Sequence, residues 1–351
     1  TRTKSSAASD VYKRQILGFG VVGSRRFDIL KNIPNLSIVA VSDQKKENLV
    51  GLDKSIALFD DYITLIKTID FDVAFVSLPN LYAKDATARA LKKGAHVFCE
   101  KPPARTSAEL NEIISISKAN PSLKLMYGFN HRFHESAILA KQVIDSKQLG
   151  KIVNLKGTYG KSKIITFDQT DWRSKRNQAG GGILLDQGIH MLDLISYFSN
   201  QEFTEIHSFV DNAFWGHDVE DNAFAIMRSD EGIVAQIHSS ATQWRHKFNL
   251  EITLQQGSII MQGILSGSKS YGEEELIVIR HNPDSRDASL DEKIETFKND
   301  LSWDKEINYF FHAITNDKPI KTSNIDDAMK IMQLIEKIYA SDSKWAERVF
   351  E

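Results

Sequence analysis

The residues most able to do chemistry begin at a glycine-rich turn near the start of the chain. Residues 18–23 read G-x-G-x-x-G, with the apolar Ile16-Leu17 before them and a helix-compatible stretch after them. A second apolar run ends at Asp43, twenty residues past Gly23. This order of strand, turn, helix, strand and acid is typical of a βαβ unit that binds a dinucleotide.

Each glycine of the turn has a predicted role in that binding. Gly18 permits the tight turn, Gly20 lets the backbone approach a pyrophosphate, and Gly23 allows close packing of the helix against the strand. The N–H groups and the partial positive charge at the start of the helix favour the phosphates. The predicted cofactor contacts in this turn are Gly18, Phe19, Gly20, Val21, Val22 and Gly23.

Asp43 predicts which dinucleotide the turn prefers. Its carboxylate would accept hydrogen bonds from the adenosine ribose hydroxyls and would repel a 2′-phosphate, which favours NAD over NADP. The neutral Gln44 follows it in place of an arginine, whereas the basic Lys45 and Lys46 leave NADP open.

A lysine at the end of a predicted strand is the second candidate for chemistry. Residues 99–103 read Cys-Glu-Lys-Pro-Pro, and the carboxyl ends of strands in such sheets are where ligands bind. Lys101 can move a proton to or from a substrate oxygen if burial or a neighbouring cation lowers its pKa. The alternative interpretation is an ordinary surface lysine before a turn.

The third candidate is an Asp and a His on one predicted helix. Gly180-Gly181-Gly182 opens a segment that becomes helical by Leu185, and Asp186 and His190 are four residues apart on one face of it. Such a pair supplies a proton-transfer group and a group that orients it or the substrate. A metal site lacks a third His or Cys ligand nearby, and a hydrogen-bonded surface pair is the structural alternative.

A basic and aromatic segment precedes the glycine triplet. Residues 161–163 (Lys-Ser-Lys) and 170–176 are predicted to form a substrate loop, with Lys163, Trp172 and Arg173 as its substrate contacts, since a tryptophan face stacks on a sugar or base and cations hold phosphates. This would suit an anionic or nucleotide-linked sugar. The alternative is a solvated loop whose charges bind nothing specific.

The elements that must position these residues change character along the chain. From residue 16 to about 126, short apolar runs alternate with helical stretches, which predicts a parallel sheet with helices on both faces. The predicted strands are residues 16–18, 37–42, 73–78, 96–99 and 124–127, and the predicted helices are 22–31, 62–67, 83–93 and 107–120.

The second half predicts a largely antiparallel open sheet, because its strands are longer, alternate in polarity and are joined by hairpin-type turns. The predicted strands are residues 152–159, 205–214, 222–228, 233–242, 249–255, 258–262 and 276–280. The predicted helices are residues 135–146, 303–315 and 324–341, while residues 263–275 and 282–291 are expected to be loops.

Composition bounds the kind of protein. A chain of 351 residues with 42% hydrophobic content predicts two domains, and a net charge of −2 gives no general attraction to nucleic acid or anionic membranes. The single cysteine, Cys99, excludes an intramolecular disulfide and fits a reducing compartment. With no apolar run approaching the length of a membrane span and no signal-peptide pattern, a cytoplasmic protein is expected.

The first fourteen residues are expected to be a non-native tail. Residues 10–15 resemble the translation of a transposon end used in sequencing-library preparation, and the chain opens without a methionine. A native disordered tail is the alternative. The predicted domains are residues 15–127, for the dinucleotide, and 128–351, for substrate and assembly.

Three motifs in this order resemble the glucose-fructose oxidoreductase, inositol dehydrogenase and rhizopine-catabolism family (Gfo/Idh/MocA). They are the G-x-G-x-x-G turn, Glu100-Lys101-Pro102, and the later G-G-G-x-L-x-D-x-G-x-H-x-x-D. The resemblance runs over residues 16 to about 345. It implies an N-terminal Rossmann domain and a C-terminal α/β domain with an open, largely antiparallel mixed sheet of the kind that mediates oligomerisation. The alternating strands also predict an exposed sheet face, which a partner subunit would cover through residues of roughly 205–280, giving a homodimer or homotetramer.

The resemblance also implies a bound NAD or NADP and reversible oxidation of a secondary alcohol on a sugar, cyclitol or nucleotide-sugar. By motif position, Lys101, Asp186 and His190 are the implied catalytic residues, and Asp193 is a structural support. Two rival functions stay open: an NAD-dependent glycoside hydrolase of related fold and a non-catalytic nucleotide-sensing protein. Steady-state assays on a panel of sugars would separate them.

Further contacts follow from the same resemblance. Pro79, Asn80, Glu100 and Lys101 are implied cofactor contacts. Arg132, in the Asn-x-Arg segment, is an implied substrate or cofactor contact or an interdomain pairing residue. Many relatives carry Pro-Asn-x-x-His over the stretch that is residues 79–83 here, and this chain has Ala83 in place of the histidine. A role for that position is therefore in doubt. Lys101, Lys163, Trp172, Arg173, Asp186 and His190 complete the substrate contacts expected here with Arg132.

Overall fold

The computed structural model describes residues 12–34, 36–163, 171–281 and 291–350. These residues divide into two compact units. Unit 1 comprises the chain up to Pro103 together with Glu109–Gly128 and Asn308–Asn324. Unit 2 comprises Ala104–Ala108, Phe129–Ile307 and the chain from Ile325 onward. Residues 1–11 of the expected non-native tail lie outside the described residues.

Unit 1 is built on a six-stranded parallel sheet in the order β3-β2-β1-β4-β5-β6. The strands are β1 Tyr12–Leu17, β2 Leu36–Ser42, β3 Ala57–Phe59, β4 Val73–Val76, β5 His96–Cys99 and β6 Leu125–Tyr127. The helices that begin in this part of the chain are α1 Val21–Leu30, α2 Tyr62–Thr68, α3 Asn80–Lys92 and α4 Ser107–Ala119. The strand order reverses between β1 and β4, the position where such sheets bind dinucleotides.

Fully apolar strands form the core of this sheet. All four residues of β4 are buried, and Phe75 stacks on Phe98 of β5 with ring centroids 5.5 Å apart. Phe310 and Phe311, which join unit 1 from late in the chain, pack against Phe75. The predicted parallel sheet is therefore confirmed, since strands buried on both faces read as short apolar runs.

The first strand begins earlier than the sequence indicates. The prediction was residues 16–18, whereas β1 starts at Tyr12 because it pairs with β2 on one side and β4 on the other. Arg14 and Gln15 are consequently buried in the sheet despite their polarity. Burial lowers the pKa of Arg14 to about 9, and its guanidinium donates one hydrogen bond to the carbonyl oxygen of Leu30.

Unit 2 is built on an eight-stranded sheet in the order β14-β13-β12-β11-β7-β10-β9-β8, in which β7 and β10 pair in parallel and the other neighbours are antiparallel. The strands are β7 Ile152–Gly160, β8 Phe203–Asp211, β9 Asn222–Ser229, β10 Val234–Ser240, β11 Lys247–Leu254, β12 Gly257–Gln262, β13 Glu274–Arg280 and β14 Asp291–Phe297. The expected α/β fold with a largely antiparallel second sheet is confirmed.

Three helices pack against this sheet, namely α5 Glu135–Asp145, α7 Ile189–Ser199 and α9 Ile325–Ser341. A π-helical turn over Leu184–Gly188 directly precedes α7. The other helices are α6 Arg176–Ala179, α8 Ser302–Thr315, most of which belongs to unit 1, and α10 Ser343–Phe350. A side chain at Gly157 of β7 would collide with Met191 of α7, so the glycine lets this helix lie close to the sheet. The alternation predicted on β10 is confirmed for Ala235, Ile237 and Ser239, which are buried.

Four elements were not predicted from sequence, among them the four-residue helix α6. Strand β3 has three residues, and helix α10 is a short amphipathic segment at the end of the chain. Strand β14 begins at Asp291, where a loop was expected; residues 282–290 of that loop lie outside the described residues. Its sequence is rich in charge, and its strand conformation comes from pairing with β13 along the sheet edge.

Candidate active site

The glycine-rich turn in unit 1 leads from β1 into α1. The N–H of Gly18 donates to the carbonyl oxygen of Ser42 at 2.9 Å, and Gly18 has φ +88°. A Cβ there would lie 2.5 Å from the carbonyl oxygen of Ser77, and one at Gly23 would overlap the carbonyl oxygen of Gly18. Contacts inside the protein therefore require glycine at both positions.

Gly20 differs, because a Cβ added there would meet no atom within 4 Å. It stands immediately before α1, whose first N–H groups have no acceptor within the helix. No contact among the described residues of unit 1 explains a glycine at this position, whereas a pyrophosphate close to the backbone would. The turn, with buried Phe19 and exposed Val21, thus fits the dinucleotide that its sequence predicts.

The carboxylate of Asp43 lies against this turn. It accepts hydrogen bonds from the N–H of Phe19 at 2.7 Å and from the N–H of Lys45 at 2.8 Å. Asp43 therefore fixes the turn to the end of β2 in addition to the ribose role predicted for it. The structural contact could not be read from the spacing alone.

The other implied cofactor residues follow strands of the same sheet. Asn80 is the first residue of α3 and is buried, with Pro79 directly before it. Glu100 follows β5 and forms an ion pair of 2.6 Å with Arg26 of α1. Lys101, the next residue, is half-buried at the same strand end.

Ala83, at the position where relatives carry a histidine, is buried in α3. Its methyl group can take no part in proton transfer or hydrogen bonding. A role for residue 83 in such chemistry, which the sequence puts in doubt, therefore has no support from this side chain.

In unit 2, Asp186 lies in the π-helical turn and meets two cations. Its Oδ2 accepts a hydrogen bond from Lys161 Nζ at 3.0 Å, and its Oδ1 lies 3.9 Å from Nε of Arg173. The side chain of Lys161 is only 8% exposed, so the pair is largely shielded from water. A shielded carboxylate held by a lysine keeps a fixed orientation, as a group that orients a substrate hydroxyl must.

His190, in the first turn of α7, stacks on the ring of His131. The centroids are 3.8 Å apart and the planes differ by 15°. His131 is held by Asn130 Oδ1 at 3.1 Å and by the hydroxyl of Tyr159 at 3.2 Å. The two histidines therefore form one buried group in which the orientation of His190 depends on a ring fixed from two sides.

Two tyrosines extend this cluster. Tyr159 packs edge-on against Tyr271, with centroids 5.4 Å apart, and Gln187 donates to the hydroxyl of Tyr271 at 2.6 Å. Burial raises the pKa of Tyr271 to about 12, and the pKa of Tyr159 is also raised by burial. Both hydroxyls stay protonated at neutral pH and can act as hydrogen-bond donors.

Arg132 is engaged by two carboxylates. It binds both oxygens of Asp193, at 2.7 and 2.8 Å, and Oδ2 of Asp327 at 2.9 Å. Burial alone would lower the pKa of Arg132, but these carboxylates outweigh burial and raise it. The arrangement favours a structural role for Arg132 over the implied substrate contact, and it agrees with the supporting role expected of Asp193.

The predicted substrate loop is described in part. Lys163 is exposed, and residues 164–170 lie outside the described residues. The guanidinium of Arg173 lies 4.4 Å from the centre of the Trp172 ring. Trp172 and Arg173 thus form a cation–π pair beside Asp186, whereas Lys161, two residues before Lys163, makes the ion pair.

Sequence reasoning placed Lys161 in the substrate loop without its pairing to Asp186, and it missed Tyr159, His131 and Tyr271 as site residues. The alternation of β7 could have indicated both Lys161 and Tyr159, because Leu155, Gly157, Tyr159 and Lys161 share the buried face. Nothing in the sequence pairs His131 with His190, since they come from separate segments. Lys101 lies in unit 1 and Asp186 and His190 in unit 2, and all three stay predictions as catalytic residues.

Among residues 12–34, 36–163, 171–281 and 291–350, no group of three His, Cys, Asp or Glu side chains could hold a metal ion. No helix in that part of the chain is long and apolar enough to cross a membrane.

Comparison with known proteins decides the family. Residues 13–129 match the model described as the oxidoreductase family with an NAD-binding Rossmann fold, and residues 138–260 match the GFO/IDH/MocA C-terminal domain. The chain belongs to the Gfo/Idh/MocA oxidoreductase family. The family resemblance of the three motifs is confirmed, and the glycine turn lies in the matched NAD-binding domain.

Individual Gfo/Idh/MocA relatives are distant. A 1,5-anhydro-D-fructose reductase of Ensifer adhaerens is 25% identical over 62% of this chain and 63% of its own length. Glucose-6-phosphate 3-dehydrogenase of Bacillus subtilis is 29% identical over 54% of each chain. The matched stretch thus spans little more than half the length of these relatives. Levoglucosan dehydrogenase, solved with NADH and levoglucosan, shares the fold at a TM-score of 0.83, with 20% identity over 95% of this chain and 97% of its own.

Proposed function

We propose that this Gfo/Idh/MocA protein is an NAD-dependent dehydrogenase that oxidises a secondary alcohol of a sugar, cyclitol or nucleotide-sugar. The observation that carries the proposal is the helical segment 184–199. This segment carries Asp186, which pairs with Lys161 at 3.0 Å, and His190, which stacks on the buried His131. The other unit of the same chain holds the NAD-binding turn.

Bound NAD supplies a hydride acceptor, and the residues of the chain supply binding and proton transfer. Gly18, Gly20 and Gly23 would hold the pyrophosphate, and Asp43 would bind the adenosine ribose. The preference of Asp43 for NAD over NADP rests on its negative charge.

The proton of the substrate hydroxyl needs an acceptor in the chain. Lys101 and His190 are the proposed acid–base residues, and Asp186 would orient the hydroxyl groups. The stacking of His190 on His131 supports this division of roles, because a proton acceptor works best in a fixed orientation.

The substrate class rests on the loop and on the relatives. Trp172 offers an aromatic face, and Arg173 and Lys161 supply positive charge at Asp186. Lys163, two residues beyond Lys161, adds an exposed positive charge. These groups suit a sugar ring that carries a phosphate or nucleotide. The named relatives act on, or were solved with, sugars, which supports the same class.

The open face of the eight-stranded sheet supports pairing of two copies. Phe209 is 79% exposed and Ile226 is 56% exposed, and the register places Phe224 between Phe209 and His238 across neighbouring strands. Apolar side chains on a sheet face are costly in water unless another surface covers them. A second copy is the proposed cover, giving a homodimer or a homotetramer built from dimers.

The proposal is tested by incubating the protein with NAD and a panel of sugars, cyclitols and nucleotide-sugars while NADH absorbance is followed. NADH formation with at least one member supports a dehydrogenase. Release of an aglycone without net NADH would instead indicate a glycoside hydrolase, and NAD binding without turnover on any member would indicate a nucleotide sensor.

A further inference from the structure

Glu220, in the connection from β8 to β9, carries a carboxylate that is completely buried. Its Oε2 accepts a hydrogen bond from the N–H of Gly182 at 2.7 Å, and its Oε1 accepts one from the N–H of Leu184 at 2.9 Å. The backbone oxygen of Glu220 accepts the N–H of Ile183 at 3.1 Å. One residue therefore satisfies three consecutive N–H groups at the start of segment 184–199.

Such N–H groups have no acceptor within a helix and must find one elsewhere when they are buried. The next bond in the series is internal to the segment, because the N–H of Asp186 donates to the carbonyl oxygen of Gly182 at 2.8 Å. The position of Gly182 therefore sets the position of Asp186 directly, and that of His190 one turn later.

Tyr339 of α9 completes the contact from the other side. Its hydroxyl donates to Oε1 of Glu220 at 2.7 Å. A Cβ at Gly182 would overlap the backbone oxygen of Glu220, and a Cβ at Gly181 would overlap the hydroxyl of Tyr339. Two glycines of the triplet are thus required by the close approach of Glu220 and Tyr339.

The segment that carries Glu220 also forms hydrogen bonds with residues 174–176, at the end of the predicted substrate loop. Oδ2 of Asp218 accepts the N–H of Arg176 at 3.0 Å, and the N–H of Asp218 donates to the carbonyl oxygen of Ser174 at 3.2 Å. Residues 218–220 therefore connect the loop of Trp172 to the start of the helical segment of Asp186.

We propose that Glu220 is a positioning residue for the reaction. Its buried carboxylate fixes the start of segment 184–199 and so sets the orientation of Asp186 and His190. This inference rests on the proposed dehydrogenase function, and it assigns a role to a residue outside the three family motifs. Small displacements of reacting groups are enough to lower turnover strongly.

Glu220→Gln is the central variant. An amide keeps the size of the side chain but offers only one acceptor oxygen, so at least one backbone N–H at the helix start loses its partner. We expect kcat to fall ~10-fold or more while the KM for NAD stays unchanged, because misplacement of acid–base groups affects the chemical step. Tyr339→Phe leaves both backbone contacts intact and should lower kcat less.

Leu276→Ala is the matched control for lost stability. Leu276 is buried on β13, which packs against α5, and its truncation leaves a cavity. We expect this variant to lower Tm without changing kcat per folded molecule. Glu220→Gln should also speed amide hydrogen exchange in residues 182–190, and Leu276→Ala should not.

Wild-type kcat and wild-type exchange in Glu220→Gln would overturn the positioning role, as would an equal loss of kcat in Leu276→Ala. If Glu220→Gln fails to fold, Tyr339→Phe carries the test, and unchanged kcat and exchange in it would overturn the role. A wild type that forms no NADH contradicts the proposed function alone, because the exchange measurement still tests whether Glu220 fixes the helix start.

Discussion

Lys161 Nζ lies 3.0 Å from Oδ2 of Asp186, and this pair joins the end of β7 to the helical segment of the glycine-rich motif. Tyr159, two residues earlier on the same strand face, reaches His131, which in turn stacks on His190. The inward face of one strand therefore supports both proposed site residues of unit 2.

Lys161→Met should lower kcat by about 100-fold, because Asp186 loses the cation that fixes its orientation. NAD binding should be unaffected, since the turn that binds it belongs to unit 1. Steady-state kinetics and a fluorescence titration with NAD measure the two effects. Lys156→Met is the matched control, because Lys156 lies on the exposed face of β7; equal losses in both variants would contradict a specific role for Lys161.

Replacing Asp43 should change the dinucleotide preference. Asp43→Asn keeps an oxygen that can accept the N–H of Phe19 but removes the negative charge, so NAD should bind more weakly and NADP less unfavourably. Asp43→Ala should weaken NAD further because the turn also loses its contact. Calorimetric titration with each dinucleotide provides the measurement, and unchanged affinities in both variants would remove Asp43 from the ribose site.

Much of the fold could be predicted from the sequence because its signals are local. The glycine turn, the apolar runs of β4 and β5 and the alternation of β10 each depend on a few neighbouring residues. Strand β1 was misplaced because its polar start is held by parallel partners on both sides, which no local pattern shows.

The candidate site was predictable only in part for the same reason. Asp186 and His190 lie in one motif, whereas Lys161, His131 and Glu220 reach them from segments 25 or more residues away in sequence. Their contacts come from sheet register and helix packing. Arg132 differs, because its motif indicated a contact with a bound ligand, whereas in the structure its guanidinium pairs with the carboxylates of Asp193 and Asp327.

Stability in acid should depend on Glu274. Burial alone would raise its pKa, but hydrogen bonds from His134 and Ser136 outweigh burial and lower it below the ordinary 4.5. Its contribution to the free energy of unfolding is therefore complete above pH 4.5 and is lost as the pH falls through the lowered pKa.

Urea unfolding at a series of pH values tests this. Glu274→Gln should be less stable than wild type at neutral pH, and the difference should shrink as the solution becomes more acidic. Glu292→Gln, at an exposed position on β14, is the control and should follow the wild type. A difference between Glu274→Gln and wild type that stays constant with pH would contradict the assignment.

The proposed dimer face can be tested with a single charged substitution. Ile226→Lys places a lysine in the middle of the exposed apolar patch, and we expect it to shift the protein from dimer towards monomer in light scattering. Val50→Lys, at an 81% exposed position in unit 1, is the matched control and should leave the mass unchanged. A wild type that is already monomeric would exclude this face as a stable interface.

The most direct test of the account is NADH formation by the wild type on a panel of sugars, cyclitols and nucleotide-sugars, beside Lys101→Ala and His190→Ala. The account predicts turnover by the wild type on at least one of them, and a loss of about 100-fold or more in each variant with NAD still bound. NAD binding without NADH formation on any member of the panel, or wild-type turnover in both variants, would contradict it.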